Sequence, residues 1–176
     1  MMTATLAGLY AFIFVVFGRQ HLTTDVELIS SLGLATGLLL LSYTDLRSGL
    51  LLDILTWPLV AFGIGYAAYA GTLAFALYGA VIGYALIAGL GWAWRTIRGY
   101  EGIGLGDAKL LAAGGAWVGI MGLPSILLIA SGTGLLVSLI VSQRSRLSQD
   151  RIAIVFGPSL AFGIWVVWCW PILTFA

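Results

Sequence analysis

The sequence predicts an all-α protein: a polytopic bundle of about seven transmembrane helices, forming a single integral-membrane domain over residues 1–176. Three observations lead there. Apolar side chains make up 61% of the chain and charged ones 9%, whereas soluble domains carry about 45–50% and about 25%. Eight basic and seven acidic side chains are too few to cover the surface of a soluble fold of 176 residues. The apolar residues come in continuous runs approaching the ~20 that a spanning helix needs, not in the alternation of a membrane β-strand.

Taken in order, the first run is Met2–Phe17, ended by the polar loop Gly18–Glu27. Leu28–Tyr43 is the second, Ile54–Ala70 the third and Thr72–Trp94 the fourth. A polar, glycine-rich stretch, Arg95–Gly106, separates these from Asp107–Met121, Pro124–Ser142 and Ile152–Leu173. Met2–Phe17 does not read as a cleavable signal, since no basic segment precedes it and no small-residue cleavage site lies between it and Arg19. With this numbering, Arg47, Arg95, Arg98, Lys109, Arg144, Arg146 and Arg151 fall on one side of the membrane and only Arg19 on the other. Basic residues stay inside, so the amino terminus is expected in the cytoplasm and the carboxyl terminus outside. Trp165, Trp168 and Trp170 then sit towards the outer end of the last span, where an interfacial aromatic belt is expected.

Among the 24 glycines, Gly79/Gly83 and Gly115/Gly119 have the small-xxx-small spacing that lets helix backbones approach in lipid, and are read as packing sites. No internal repeat stands out, and the paired broken helices of an inverted-repeat transporter are missing. A net charge of +1 excludes a broad basic surface for nucleic acid. A single cysteine, Cys169, excludes an internal disulfide or a CxxC zinc site and is read as an apolar filler.

So few charges make each one informative. Asp25 and Glu27 fall in the outer loop, and Asp150 lies beside arginines in a polar run; all three are read as solvated. Asp45, Asp53, Glu101 and Asp107 remain, all at cytoplasmic span ends. Asp45 closes the apolar run LLLLSYTD, and Asp107 opens GDAKLLAAGGAW. A carboxylate pushed towards the bilayer centre costs about 2.5–3.5 kcal/mol, so its default reading is functional. The bland readings are a wet headgroup position for each and, for Asp107, a favourable place at a helix start. Gly102, Gly104 and Gly106 precede Asp107 and disfavour a rigid helix there. They favour an extended segment that a second strand could approach.

Two nearby carboxylates sharing one proton suffice to hydrolyse a peptide bond: the charged one activates water, the protonated one supports the carbonyl oxygen. Competing chemistries fare worse. His21 stands alone on the opposite side, so a Ser–His–Asp or Cys–His site has no base. The HExxH of a zinc protease is absent. A carboxylate-only magnesium site built from Asp45, Asp53, Glu101 and Asp107 would lack a phosphate-binding loop.

SYTDLRSGLLLDILTWPL followed by EGIGLGDAKLLAAGGAWVG and then RIAIVFGPSLAFG resembles the type IV prepilin peptidases, a group of GxGD intramembrane aspartyl proteases, over about Leu38 to Gly163. The resemblance implies a six-helix peptidase core plus an N-terminal span, in the bacterial inner membrane with its active site facing the cytoplasm. It implies that Asp45 and Asp107 are the catalytic aspartates and that Gly104 and Gly106 are the motif glycines supporting the substrate strand. Glu101, Lys109 and Asp53 fall on polar positions that members often carry, as possible second contacts around the pair. The implied partner is a prepilin or pseudopilin with a short basic leader, cleaved at the junction with its apolar helix. No organic cofactor or metal is implied. Two departures stand out. Leu52 occupies the place of a frequent proline, and the CxxC…CxxC insert of larger members is absent, so a peptidase without the methyltransferase is expected. The same acids leave other readings open. One is a presenilin or signal-peptide-peptidase type of GxGD protease, which the late Phe-Gly-Pro disfavours against that group's Pro-Ala-Leu. Another is a membrane scaffold or small ion- or proton-coupled transporter, and a third is a decayed peptidase that only binds its substrate.

Overall fold

The computed structural model describes residues 8, 10–11, 25–49, 51–99, 104–145 and 156–170. Six helices follow one another: α1 (Asp25–Ser48), α2 (Asp53–Tyr69), α3 (Leu73–Arg98), α4 (Leu105–Val118), α5 (Leu123–Ser145) and α6 (Gly157–Cys169). A 3₁₀ turn, Ile120–Gly122, joins α4 to α5, and no strand occurs among the described residues. The all-α expectation therefore holds. Three stretches have the length and apolarity to cross a membrane: Asp25–Ser48, Leu73–Arg98 and Ile120–Ile140. Helices α2, α4 and α6 are shorter, at 17, 14 and 13 residues. At 1.5 Å per residue α4 reaches only about 21 Å, short of a ~30 Å hydrocarbon core. Of the about seven spans expected, three are helices of that length and apolarity among the described residues. Of the expected first span, Gly8, Tyr10 and Ala11 are helical, and the remainder lies outside the described residues.

Two boundaries differ from expectation. Helix α1 already includes Asp25 and Glu27, expected in the loop; acids there complement the helix dipole. It also runs five residues past Tyr43, which puts Asp45 inside the helix and not at a frayed end. Helix α3 likewise continues to Arg98, with Arg95 and Arg98 in its last turn, where cations favour the dipole.

Helix α4 is the centre of the bundle. Nine of its fourteen residues are buried, and it packs on α2, α3, α5 and α6. Its closest partner is α3, and the contact is backbone on backbone. A Cβ built on Gly115 would overlap the Gly79 carbonyl, and one on Gly79 would overlap the Gly115 carbonyl. One turn away, a Cβ on Gly83 would come within 2.8 Å of the Leu111 carbonyl oxygen. The packing role read from Gly79, Gly83 and Gly115 is what the helices use. In lipid, where apolar burial gives helices little reason to associate, such close contact supplies the dispersion attraction that holds them.

The expected tryptophan belt is corrected. Trp165 is 1% exposed. Its Nε1 donates to the Tyr10 carbonyl at 3.1 Å, and its ring stacks on that tyrosine at 5.7 Å. Trp168 donates to Ser31 Oγ at 2.9 Å and meets the rings of Tyr66 and Trp117 edge-on. Trp117 donates to the Leu59 carbonyl at 2.8 Å, its indole filling the place a side chain on Gly63 would take. These tryptophans clamp helices inside the protein, each indole N–H satisfied there, as burial of an aromatic donor requires. Trp170, which follows α6, is the exposed member. Cys169 is buried, as a filler should be.

The α3–α4 contact makes a prediction. Gly115→Ala should cost about 1–3 kcal/mol through overpacking and lower the unfolding midpoint in detergent by several degrees. Gly65→Ala, whose new methyl meets no atom within 4 Å, should leave the midpoint unchanged or raise it. Equal midpoints for the two variants would refute the close approach.

Candidate active site

The site lies where the ends of α1, α2, α4 and α6 converge. Helix α1 stops one turn after Asp45. Gly49, at φ 63°, takes the left-handed conformation that ends helices, and its N–H donates to the Asp45 carbonyl at 2.8 Å. The Asp45 side chain is 5% exposed, so it is a carboxylate in the packed end of an apolar bundle. Burial of that kind requires a donor, and the Gly157 backbone N–H at the start of α6 provides one.

Asp107 is the third residue of α4. Its N–H donates to the Gly104 carbonyl at 3.2 Å, forming the first turn of the helix. Its carboxyl is half-buried and close enough to Asp45 to sense that residue's charge. Residues 62 positions apart in sequence, each at one end of its own helix, are thereby brought within electrostatic reach.

The motif glycines divide. Gly104 is extended (φ −71°, ψ 134°) as expected. Among the described residues, a Cβ there would meet only Asp107 Oδ2, at 3.9 Å, and the Gly106 nitrogen, at 4.0 Å. No described side chain other than Asp107 comes within 4 Å of that position. Gly106 is not part of an extended segment: α4 has already begun at Leu105. A Cβ on Gly106 would lie 2.9 Å from Leu51 Cβ, so this glycine admits the chain that links α1 to α2. The difference arises because α4 is anchored by burial along almost its whole length, which overrides the low helix propensity of glycine in its first turn.

Lys109 Nζ donates to Asp53 Oδ1 at 2.6 Å. Residues two apart on a helix do not share a face, so Lys109 turns away from Asp107 and ties the start of α2 to the second turn of α4. Asp53 also sits in the first turn of α2, where an acid favours the helix dipole. Helix α2 starts in register although Leu52 stands at its cap: Leu52 is extended (φ −71°, ψ 124°), and its carbonyl accepts the Thr56 hydroxyl at 3.0 Å. Glu101 lies outside the described residues. No group of three His, Cys, Asp or Glu side chains arranged to hold a metal occurs among the described residues. The contribution of Gly157 was not legible as a role, although Phe-Gly-Pro itself was visible in the sequence.

Residues 32–139 match the model of the type IV leader peptidase family. A prepilin leader peptidase/N-methyltransferase of Burkholderia pseudomallei is 39% identical over 137 residues, which is 77% of this chain and 44% of that protein. Proteins of the same description from Aeromonas salmonicida and Escherichia coli are 38% and 44% identical. Those matches cover 85% and 71% of this chain, and 52% and 56% of the relatives. The chain thus spans about half the length of the curated relatives it matches. No solved structure matches it.

Three substitutions separate packing from openness at the site. Gly106→Ala should destabilise the fold by about 1–3 kcal/mol through its contact with Leu51. Gly104→Ala should leave the unfolding midpoint within error. Lys109→Met should cost under about 1 kcal/mol, because its ion pair with Asp53 is partly exposed and screened. Thermal unfolding of the three purified variants checks all of these, and the reverse order for the two glycines would contradict the geometry.

Proposed function

The chain belongs to the type IV leader peptidase family, and from that premise we propose that it is an intramembrane aspartyl endopeptidase. Its substrates are type IV prepilins or pseudopilins, and it removes their short basic leader at the cytoplasmic face of the bacterial inner membrane. The observation that supports this reading is the placement of Asp45, near the end of α1, and Asp107, at the start of α4, within electrostatic reach of each other in a chain with few charges. A buried carboxylate in such a setting is costly, and a second one beside it costs more unless the two share a proton.

In this mechanism the dyad holds one proton between two carboxyl groups, and the pair titrates as a unit. The ionised member takes a proton from water while the water oxygen bonds to the carbonyl carbon of the scissile peptide. The protonated member hydrogen-bonds the carbonyl oxygen as it gains charge. When the tetrahedral intermediate collapses, the C–N bond breaks and a proton passes to the leaving nitrogen. The products are a leader ending in a new carboxylate and a pilin with a new amino terminus. The extended backbone of Gly104 supports docking of an unwound substrate strand next to Asp107. Orientation rests on the charges. Arg47, Arg95 and Arg98 lie in the last turns of α1 and α3, and Lys109 in the first turns of α4, at the membrane side assigned to the cytoplasm. A basic leader would be retained on that same side.

A co-expressed prepilin with a basic leader tests this in membranes. Asp45→Asn and Asp107→Asn should each reduce cleavage by at least about 10²-fold while accumulating like the wild type. Product formation that survives either substitution would sink the dyad. Absence of product from the wild type, with ion flux or pilus assembly still dependent on the acids, would favour the transporter or scaffold reading.

A further inference from the structure

The turn Phe156-Gly157-Pro158 lies beyond the segment matched by the family model, yet it touches the site directly. Phe156 is packed against the core, its ring 3.3 Å from where a Cβ on Gly134 of α5 would stand. This fixes where α6 begins. Within the first turn of α6 the backbone donors are then used up one by one. Pro158 has no N–H. The Ser159 and Leu160 N–H groups both donate to the Phe156 carbonyl, each at 3.1 Å. Gly157 keeps the remaining N–H, and it points to the Asp45 carboxylate, at the helix end where negative charge is favoured.

The backbone does not demand glycine at 157. The glycines with positive φ are Gly49, Gly71, Gly99 and Gly119, so position 157 has a conformation open to any L-residue. What demands glycine is the carboxylate. A Cβ on Gly157 would overlap Asp45 Oδ2 and stand 2.9 Å from Asp45 Cγ. The carboxylate of Asp45 occupies the place of the missing side chain.

We propose that Gly157 is a positioning residue for Asp45: its bare Cα forms the seat of the carboxylate, and its N–H holds the carboxylate in one orientation. The inference rests on the aspartyl peptidase reading for its consequence in catalysis, but not for the seat itself. Any side chain at 157 expels the carboxylate, whereas the substrate-docking edge at Gly104 belongs to a different element and is left in place.

The test is a double-mutant cycle on the full chain in detergent, with cleavage kinetics alongside. Gly157→Ala should lower kcat by about a hundredfold, the scale of an ångström of misplacement, with KM within about twofold of the wild type. It should also lower the unfolding midpoint, and that drop should shrink by more than half in an Asp45→Ala background, where the new methyl has room. If Gly157→Ala alone fails to accumulate, recovery of accumulation in the double variant supports the seat, and no recovery overturns it. An equal midpoint drop in both backgrounds, or wild-type kcat in Gly157→Ala, overturns the proposal. If the wild type cleaves no prepilin, the peptidase reading falls and the thermal cycle by itself decides the seat.

Discussion

Half of the residues of α4 are alanine or glycine, and the narrow helix that results is the constraint on which the bundle depends. Because Gly79 and Gly115 let two backbones touch, α3 closes onto α4 without side chains between them. The longer helices can then surround a helix too short to cross the membrane by itself. A bulky helix at the centre would hold its neighbours at the usual 8–10 Å separation. The helix ends that carry Asp45, Asp53, Gly157 and Asp107 would not converge as they do.

That convergence also sets how charge is tolerated. The described end of the bundle receives its acids in two ways. Asp53 is paired with Lys109 across the starts of α2 and α4, partly in solvent. Asp45 is buried and received by backbone at the start of α6. The ion pair is of the kind that contributes little to stability but fixes the register of two helix starts. The backbone donor is different: it satisfies a carboxyl without placing a cation beside it.

The other end of the bundle is held by aromatic rings. Tyr66, Trp117 and Trp168 meet around the contact of α2, α4 and α6, and Trp165 stacks on Tyr10. Each described indole N–H of this group donates to a carbonyl or hydroxyl of another element. That part of the bundle is therefore pinned by apolar rings whose indole donors are satisfied, and the end with Asp53 and Lys109 is more polar.

The sequence by itself determined the all-α class with long apolar helices and the glycine contacts of α3 with α4, and it singled out Asp45 and Asp107 as the acids to propose for chemistry. These follow from composition, from the cost of charge in an apolar chain and from spacing along single helices, all of which are local or additive. It misread the tryptophans of α6 as an interfacial belt, because an aromatic near a span end looks the same whether its face meets lipid or another helix. It led to an expectation of about seven spans, of which three are long, apolar helices among the described residues, and an apolar run does not reveal whether lipid or protein surrounds it; α4 is apolar and enclosed by other helices. It treated Gly104 and Gly106 alike, and only the passage of Leu51 against Gly106 separates them. Phe-Gly-Pro was visible as a motif, but its connection to Asp45 spans 112 positions and depends on where α1 ends and α6 begins. Contacts between distant helix ends are decided by tertiary packing, since no local propensity records which backbone donor a buried carboxylate will meet.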